Sequence, residues 1–226
     1  MAEPLPLFPL GHTVLFPGVV LPLHVFEERY RELVRSLVEL PKGSRRRFGV
    51  VAIRQGWEVG DDAVSALHDV GCAAELRRVS RYPDGRYDIV TVGTDRFRLG
   101  SVDRESRPYL VGQVDWLPAE PPATGVAGLA DAVGALFAEY VDAAAGLQGR
   151  LTDDAALPDD PAGLAYAVAA AAVLTLEDRQ ALLEAATTQA RLRAELRLLK
   201  RETTMVRRLH ALPVPIAELQ VTQSLS

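Results

Sequence analysis

The sequence is poor in the residues that carry covalent chemistry. It has one cysteine, Cys72, and four histidines, His12, His24, His68 and His210, that show no ligand spacing. A lone cysteine excludes a disulfide framework and a cysteine-rich zinc site, and it fits a reducing compartment. No Gly-x-x-x-x-Gly-Lys-Ser/Thr phosphate loop occurs: Pro41-Lys42-Gly43-Ser44 lacks both the first glycine and the strand before it. Gly-x-Gly-x-x-Gly, Gly-x-Ser-x-Gly and His-Glu-x-x-His are absent as well. The expectation is a protein with no catalytic equipment, no cofactor and no metal.

Long membrane-grade apolar runs are lacking too. Residues 4–26 carry no formal charge over 23 positions, but Pro4, Pro6, Pro9, Pro17 and Pro22 interrupt them. A spanning helix could not satisfy its backbone through five such breaks. Met1-Ala2-Glu3 has no positive n-region for a secretory signal. Residues 161–176 are uncharged for only 16 positions and rich in alanine, which fits a buried helix. No membrane association is expected, and the location is read as cytoplasmic.

A large excess of positive charge is also missing. The net charge of −5 argues against a surface built mainly to neutralise phosphates. The charge is segregated: residues 1–114 sum to +1, residues 115–186 to −10 and residues 187–210 to +5. The acidic and basic blocks are expected to lie against each other.

What is present is an ordinary globular composition, 226 residues with 48% hydrophobic, enough for one or two cored domains. Short extended pieces are expected at 5–7, 13–16 and 19–24, with Pro17-Gly18 as a turn. Phe26, Tyr30, Leu33, Val34, Leu37 and Val38 then recur at helical spacing, and Pro41 and Gly43 stop the helix. Strands follow at 48–53, 73–79, 87–92, 97–102 and 109–116, with Pro83-Asp84-Gly85 as a hairpin turn. Pro118, Pro121 and Pro122 form a stiff connection, after which helices are expected up to His210, then an extended tail with Pro213 and Pro215. The fold class read from this pattern is α+β: an antiparallel β pseudo-barrel with one helix over 1–117, a helical bundle over 123–210 and a tail over 211–226.

Few residues stand out chemically. Cys72 would need an activating base, and His68 is the sequence-local candidate; the plainer reading is a small buried apolar residue. Asp61-Asp62, Asp153-Asp154 and Asp159-Asp160 fall in expected loops, where solvation is the ordinary role. Arg45, Arg46 and Arg47, beside Lys42, form the sharpest basic cluster of the β-rich part and a possible anion contact, set against a solvated loop tip. No aromatics are interleaved with it, as single-strand stacking would require.

Four segments in order carry a resemblance. Pro4-Leu-Pro-Leu-Phe-Pro-Leu-Gly-His-Thr-Val-Leu-Phe-Pro-Gly-Val-Val-Leu-Pro-Leu-His-Val-Phe-Glu-Glu-Arg-Tyr30 resembles the start of the Lon protease N-terminal domain. Asp84-Gly-Arg-Tyr-Asp-Ile-Val-Thr-Val-Gly-Thr-Asp-Arg-Phe-Arg98 is similar to that family's hairpin, and Pro108-Tyr-Leu-Val-Gly-Gln-Val114 to the strand after it. Residues 176–183 with Leu192-Arg-Ala-Glu-Leu196 resemble its helix pair. Lon proteases continue into an ATPase module and a Ser-Lys protease domain, and neither is found in these 226 residues. The resemblance therefore implies a stand-alone, PUA-like substrate-recognition domain and not the hydrolytic part.

The expected function is non-catalytic binding of exposed apolar or unfolded protein segments by strand addition and groove contacts, alone or as an adaptor for a separate protease. Phe16, Val19, Leu21, Leu23 and Tyr30 are the candidate groove residues, with Trp57 and Tyr82 in flanking loops. The tail at 213–221 has the look of a peptide ligand for such a groove, and self-association through it is an expectation of the same kind. The alternative is a PUA-like binder of nucleic acid or a small ligand, prompted by the arginine run; nucleic acid is the weaker reading given the net charge. A hydrolase relying on Cys72 or an aspartate pair is the third.

Overall fold

The computed structural model describes residues 2–56, 64–120, 125–148 and 157–209. Trp57, the pairs Asp61-Asp62 and Asp153-Asp154, His210 and the tail lie outside them. The chain divides into two compact units, Met1–Ala119 and Glu120–Ser226.

The first unit is a mainly antiparallel sheet. Its strands are β1 (Glu3–Leu10), β2 (Val20–Val25), β3 (Arg47–Gly56), β4 (Val64–Leu67), β5 (Val70–Arg81), β6 (Tyr87–Asp103) and β7 (Val111–Trp116), with one helix, α1 (Glu28–Val38). The order is β1-β7-β6-β5-β3-β4, with β2 beside β6 and β3 returning to β1. The proline-rich β1 changes partner along its length. Glu3 to Pro6 pair antiparallel with β7, and Leu7 to Leu10 pair parallel with β3. That parallel pairing departs from the wholly antiparallel sheet expected. Its leucines fill the interior with Val51, Phe97 and Val114.

Three other expectations are corrected. Residues 13–16 form no strand; they carry Val14, Leu15 and Phe16 into the core. The pieces at 87–92 and 97–102 are one 17-residue strand, β6. Gly93 lies inside it because the 13–16 segment crosses there: a Cβ on Gly93 would sit 2.1 Å from the Phe16 carbonyl oxygen. The helix begins after Phe26, which is left outside it and 54% exposed. Tyr30, Leu33, Val34 and Leu37 are its buried face, each such burial contributing about 1.5–3 kcal/mol.

The second unit holds α2 (Ala127–Gln148), α3 (Pro161–Ala171), α4 (Leu176–Glu184) and α5 (Thr188–Leu209). Local chemistry sets the starts. Asp160 is exposed in the loop before α3, as expected, and also caps the helix, accepting from the Gly163 amide at 2.8 Å; Pro161 opens the helix. Thr175 caps α4 by accepting from the Asp178 amide at 3.1 Å. α5 packs against α2, α3 and α4. The charge blocks meet in part: Arg207 pairs with Glu139 of α2, and Arg201 with Asp178 of α4.

No helix among the described residues is long and apolar enough to cross a membrane.

Candidate functional site

The site begins with β2, whose only strand partner among the described residues is β6. Its register runs from Val20 against Val92 to Val25 against Tyr87. The Gly93 amide donates to the Val19 carbonyl at 2.9 Å, so position 19 faces β6, and alternation makes Leu21 and Leu23 do the same. Val20, Pro22 and His24 therefore turn their backbone groups away from β6, to the unpaired edge. Proline stands at the middle of these three, where its missing N–H blunts the edge.

Side chains follow the same alternation. Val20, Pro22 and His24 share a face with Val92, Val90 and Asp88 of β6, and Arg78 of β5 lies beyond Val90. Val20 is 58% exposed. At one end of β2 a depression of about 80 Å³ opens between β1, β2 and the start of α1. Phe8, Leu10, Leu23, Val25, Phe26 and Tyr30 line most of it, room for one small apolar side chain.

A polar cluster closes this end. The His24 ring Nδ1 donates to Asp88 Oδ1 at 2.7 Å, and the Tyr82 hydroxyl donates to Asp88 Oδ2. The Tyr82 and His24 donors hold the Asp88 carboxyl below its ordinary range, and the same carboxylate raises the Tyr82 hydroxyl. The His24 ring lies 6.0 Å from Tyr82 and 6.4 Å from Phe26, an exposed aromatic group beside the free edge. Arg31 of α1 donates to the Gly85 carbonyl at 2.8 Å, tying the hairpin turn to the helix.

The residues expected from the sequence are only partly gathered here. Val19, Leu21 and Leu23 are half-buried along β2, and Tyr82 is exposed at its end. Phe16 is a correction: it has no exposed surface, because the 13–16 segment tucks into the core at Gly93. Tyr30 is also buried, its ring stacked 4.1 Å from Phe8, and it contributes to the floor of the depression only. Val20 and Phe26 were not anticipated. The alternation of β2 contains a signal for Val20; Phe26 was hidden by a helical spacing that starts one turn too early.

The arginine run is placed differently from a free cationic tip. Arg47 pairs with Glu3 at 3.0 Å and stacks 4.2 Å over Trp116, whose Nε1 donates to the same Glu3 at 2.7 Å. Those contacts, Trp116 foremost, lower the Glu3 carboxyl. Arg46 donates to the Leu40 carbonyl at 3.1 Å. Arg45 and Arg47 do line a recess of about 320 Å³, but Glu75 and Asp95 line it with them. An anion entering it meets two carboxylates. Cys72 is fully buried, and burial pushes its thiol well above its ordinary range, opposite to what a nucleophile needs. No group of metal-ligating residues occurs among the described residues.

The family model of the ATP-dependent protease La (LON) substrate-binding domain matches residues 4–201. The chain belongs to that family. Lon protease 2 of Myxococcus xanthus is 28% identical over 207 residues, covering 90% of this chain and 24% of the relative. Lon protease 2 of Sorangium cellulosum is 30% identical over 213 residues, covering 91% and 26%. The chain thus spans about a quarter of the length of the curated relatives it matches. Among solved structures, a Lon N-terminal domain protein from Xanthomonas campestris superimposes with a TM-score of 0.60 at 26% identity, covering 88% of this chain and 98% of that one. The N-terminal domain of a Mycobacterium avium complex Lon protease shares the fold, with a TM-score of 0.64, 18% identity and the same coverages. What is matched is the substrate-binding part of the Lon proteases, which is not their catalytic part.

Proposed function

We propose that the chain recognises extended apolar segments of protein substrates along the free edge of β2, without catalysing a reaction. A segment lying antiparallel or parallel to β2 pairs with the outward backbone groups of Val20 and His24. One of its apolar side chains enters the depression beside Leu23 and Phe26. The observation that carries this reading is an unpaired strand edge, flanked by exposed Val20 and Phe26, in a member of a substrate-binding family.

The module works as an adaptor for a separate protease or by itself, in the cytoplasm, with a PUA-like pseudo-barrel over 1–117 and a helical bundle over 123–210. In this reading Trp57 also contacts the bound segment, and the tail at 212–226 competes with that segment or joins copies; both lie outside the described residues. Nothing at the arginine run favours a nucleic-acid reading.

The test is a titration of a fluorescently labelled, permanently unfolded polypeptide with the wild type and with Val20→Asp and Phe26→Ala. Affinity is expected to fall about tenfold or more in each variant and to change little with salt, as apolar docking requires. Equal affinity in all three proteins would remove β2 from the account.

A further inference from the structure

The second unit contains a buried arginine paired with one carboxylate, with a second, unpaired carboxylate one turn along the same helix. Arg191 of α5 has no exposed surface. Its guanidinium donates to Glu120 Oε1 at 2.7 Å and Oε2 at 3.3 Å, and to the Leu182 and Ala185 carbonyls that end α4. Its Cζ lies 4.2 Å from the centre of the Tyr166 ring. Glu120 is gripped further by the Tyr166 hydroxyl at 3.0 Å and the Thr188 hydroxyl at 2.6 Å. Glu120 lies ahead of α2 in the chain, and this one carboxylate anchors that position to α3 and α5.

Glu195 stands one turn further along the same face of α5. It is 1% exposed, and neither carboxyl oxygen has a hydrogen-bond partner. Positions four apart on a helix are neighbours, and side chains lean toward the N-terminal turn, so Glu195 leans toward Arg191. Arg191 is the charged group that acts on it; the half-buried or buried titratable groups of the helices packed on α5 are Tyr140, Tyr166, Asp178 and Arg179. A buried guanidinium that lost its partner would be strongly destabilising.

We infer that Glu195 is a second seat for Arg191. When Glu120 leaves, the guanidinium turns to Glu195, which releases its proton to solvent and becomes the counter-charge. Glu120 is thereby released from α5 while α3, α4 and α5 stay packed. The latch is reversible because the buried cation is paired in both states. This device is independent of the β2 edge.

The test is a double-mutant cycle on the full chain, Glu120→Ala and Glu195→Gln, read by the midpoint of urea unfolding and by the rate of proteolysis next to position 120. Glu195→Gln alone is expected to leave the midpoint unchanged or raised and to slow cleavage, since the open state loses its counter-charge. Glu120→Ala is expected to lower the midpoint modestly and to speed cleavage at least fivefold. The double variant is expected to lose far more than both together, or to fail to fold where each single variant folds. Additive midpoints, or cleavage that Glu195→Gln leaves unchanged, would overturn the inference.

Discussion

Glu195 shows how a single buried group writes itself into the pH dependence of folding. Burial pushes its carboxyl up to about 9 from an ordinary value near 4.5, with Arg191 opposing. Between those values the folded chain holds a proton that the unfolded chain has lost. Stability is therefore expected to fall as pH rises through this window, with a steepest slope from this one group of about 1.4 kcal/mol per pH unit. Glu195→Gln should remove that component, seen as a flatter dependence of urea midpoints from pH 5 to pH 9. A second residue-scale expectation concerns Arg47. Replacing it with alanine removes the stacking on Trp116 and the pair with Glu3, and is expected to cost about 1 kcal/mol with a shift in Trp116 emission. Neither arrangement was legible in the sequence. Arg191 and Glu120 lie 71 positions apart, and Trp116 and Glu3 lie 113 apart; local periodicity holds no record of such pairings.

At the scale of elements, the most local features were the most readable. The helical spacing of Tyr30, Leu33, Val34 and Leu37 marks α1, although Phe26, at the same spacing, sits outside it. The sequence pattern divides β6 into 87–92 and 97–102, whereas one strand runs through both; Gly93 lies within it because the 13–16 segment crosses there, a cause that no short window contains. The parallel pairing of β1 with β3 is equally non-local. The last helix carries its own testable cost. Arg193, Arg197 and Lys200 follow one another at spacings of four and three on its exposed face, and no ion pair holds them among the described residues. Like charges so placed oppose the helix by a few tenths of a kcal/mol per pair. Arg197→Glu is expected to stabilise by about 0.5 kcal/mol at low salt, the gain shrinking as salt is added, in thermal unfolding at two ionic strengths. In β2, Pro22→Val restores an outward N–H to the free edge. Stronger strand addition should follow, read as tighter binding of an unfolded polypeptide or as concentration-dependent self-association in sedimentation.

For the whole molecule, the resemblance to the Lon N-terminal domain was readable because its short, proline-marked segments keep their order along the chain, and the family match covers residues 4–201. The binding surface was less readable. Burial separates residues that look alike in sequence: Phe16 and Tyr30 turn inward, while Val20 and Phe26 stay exposed beside an edge that no strand among the described residues covers. A site made of backbone groups and a few apolar side chains leaves no motif. The claim that this edge is where substrate segments add is tested most directly by amide hydrogen exchange with and without a bound unfolded polypeptide. Strand addition predicts slowed exchange at the Val20 and His24 amides, whose N–H groups point outward, with little change at Leu21 and Leu23, which already face β6. Slowed exchange confined to other regions, such as the 45–47 run or α5, with Val20 and His24 unchanged, would contradict it.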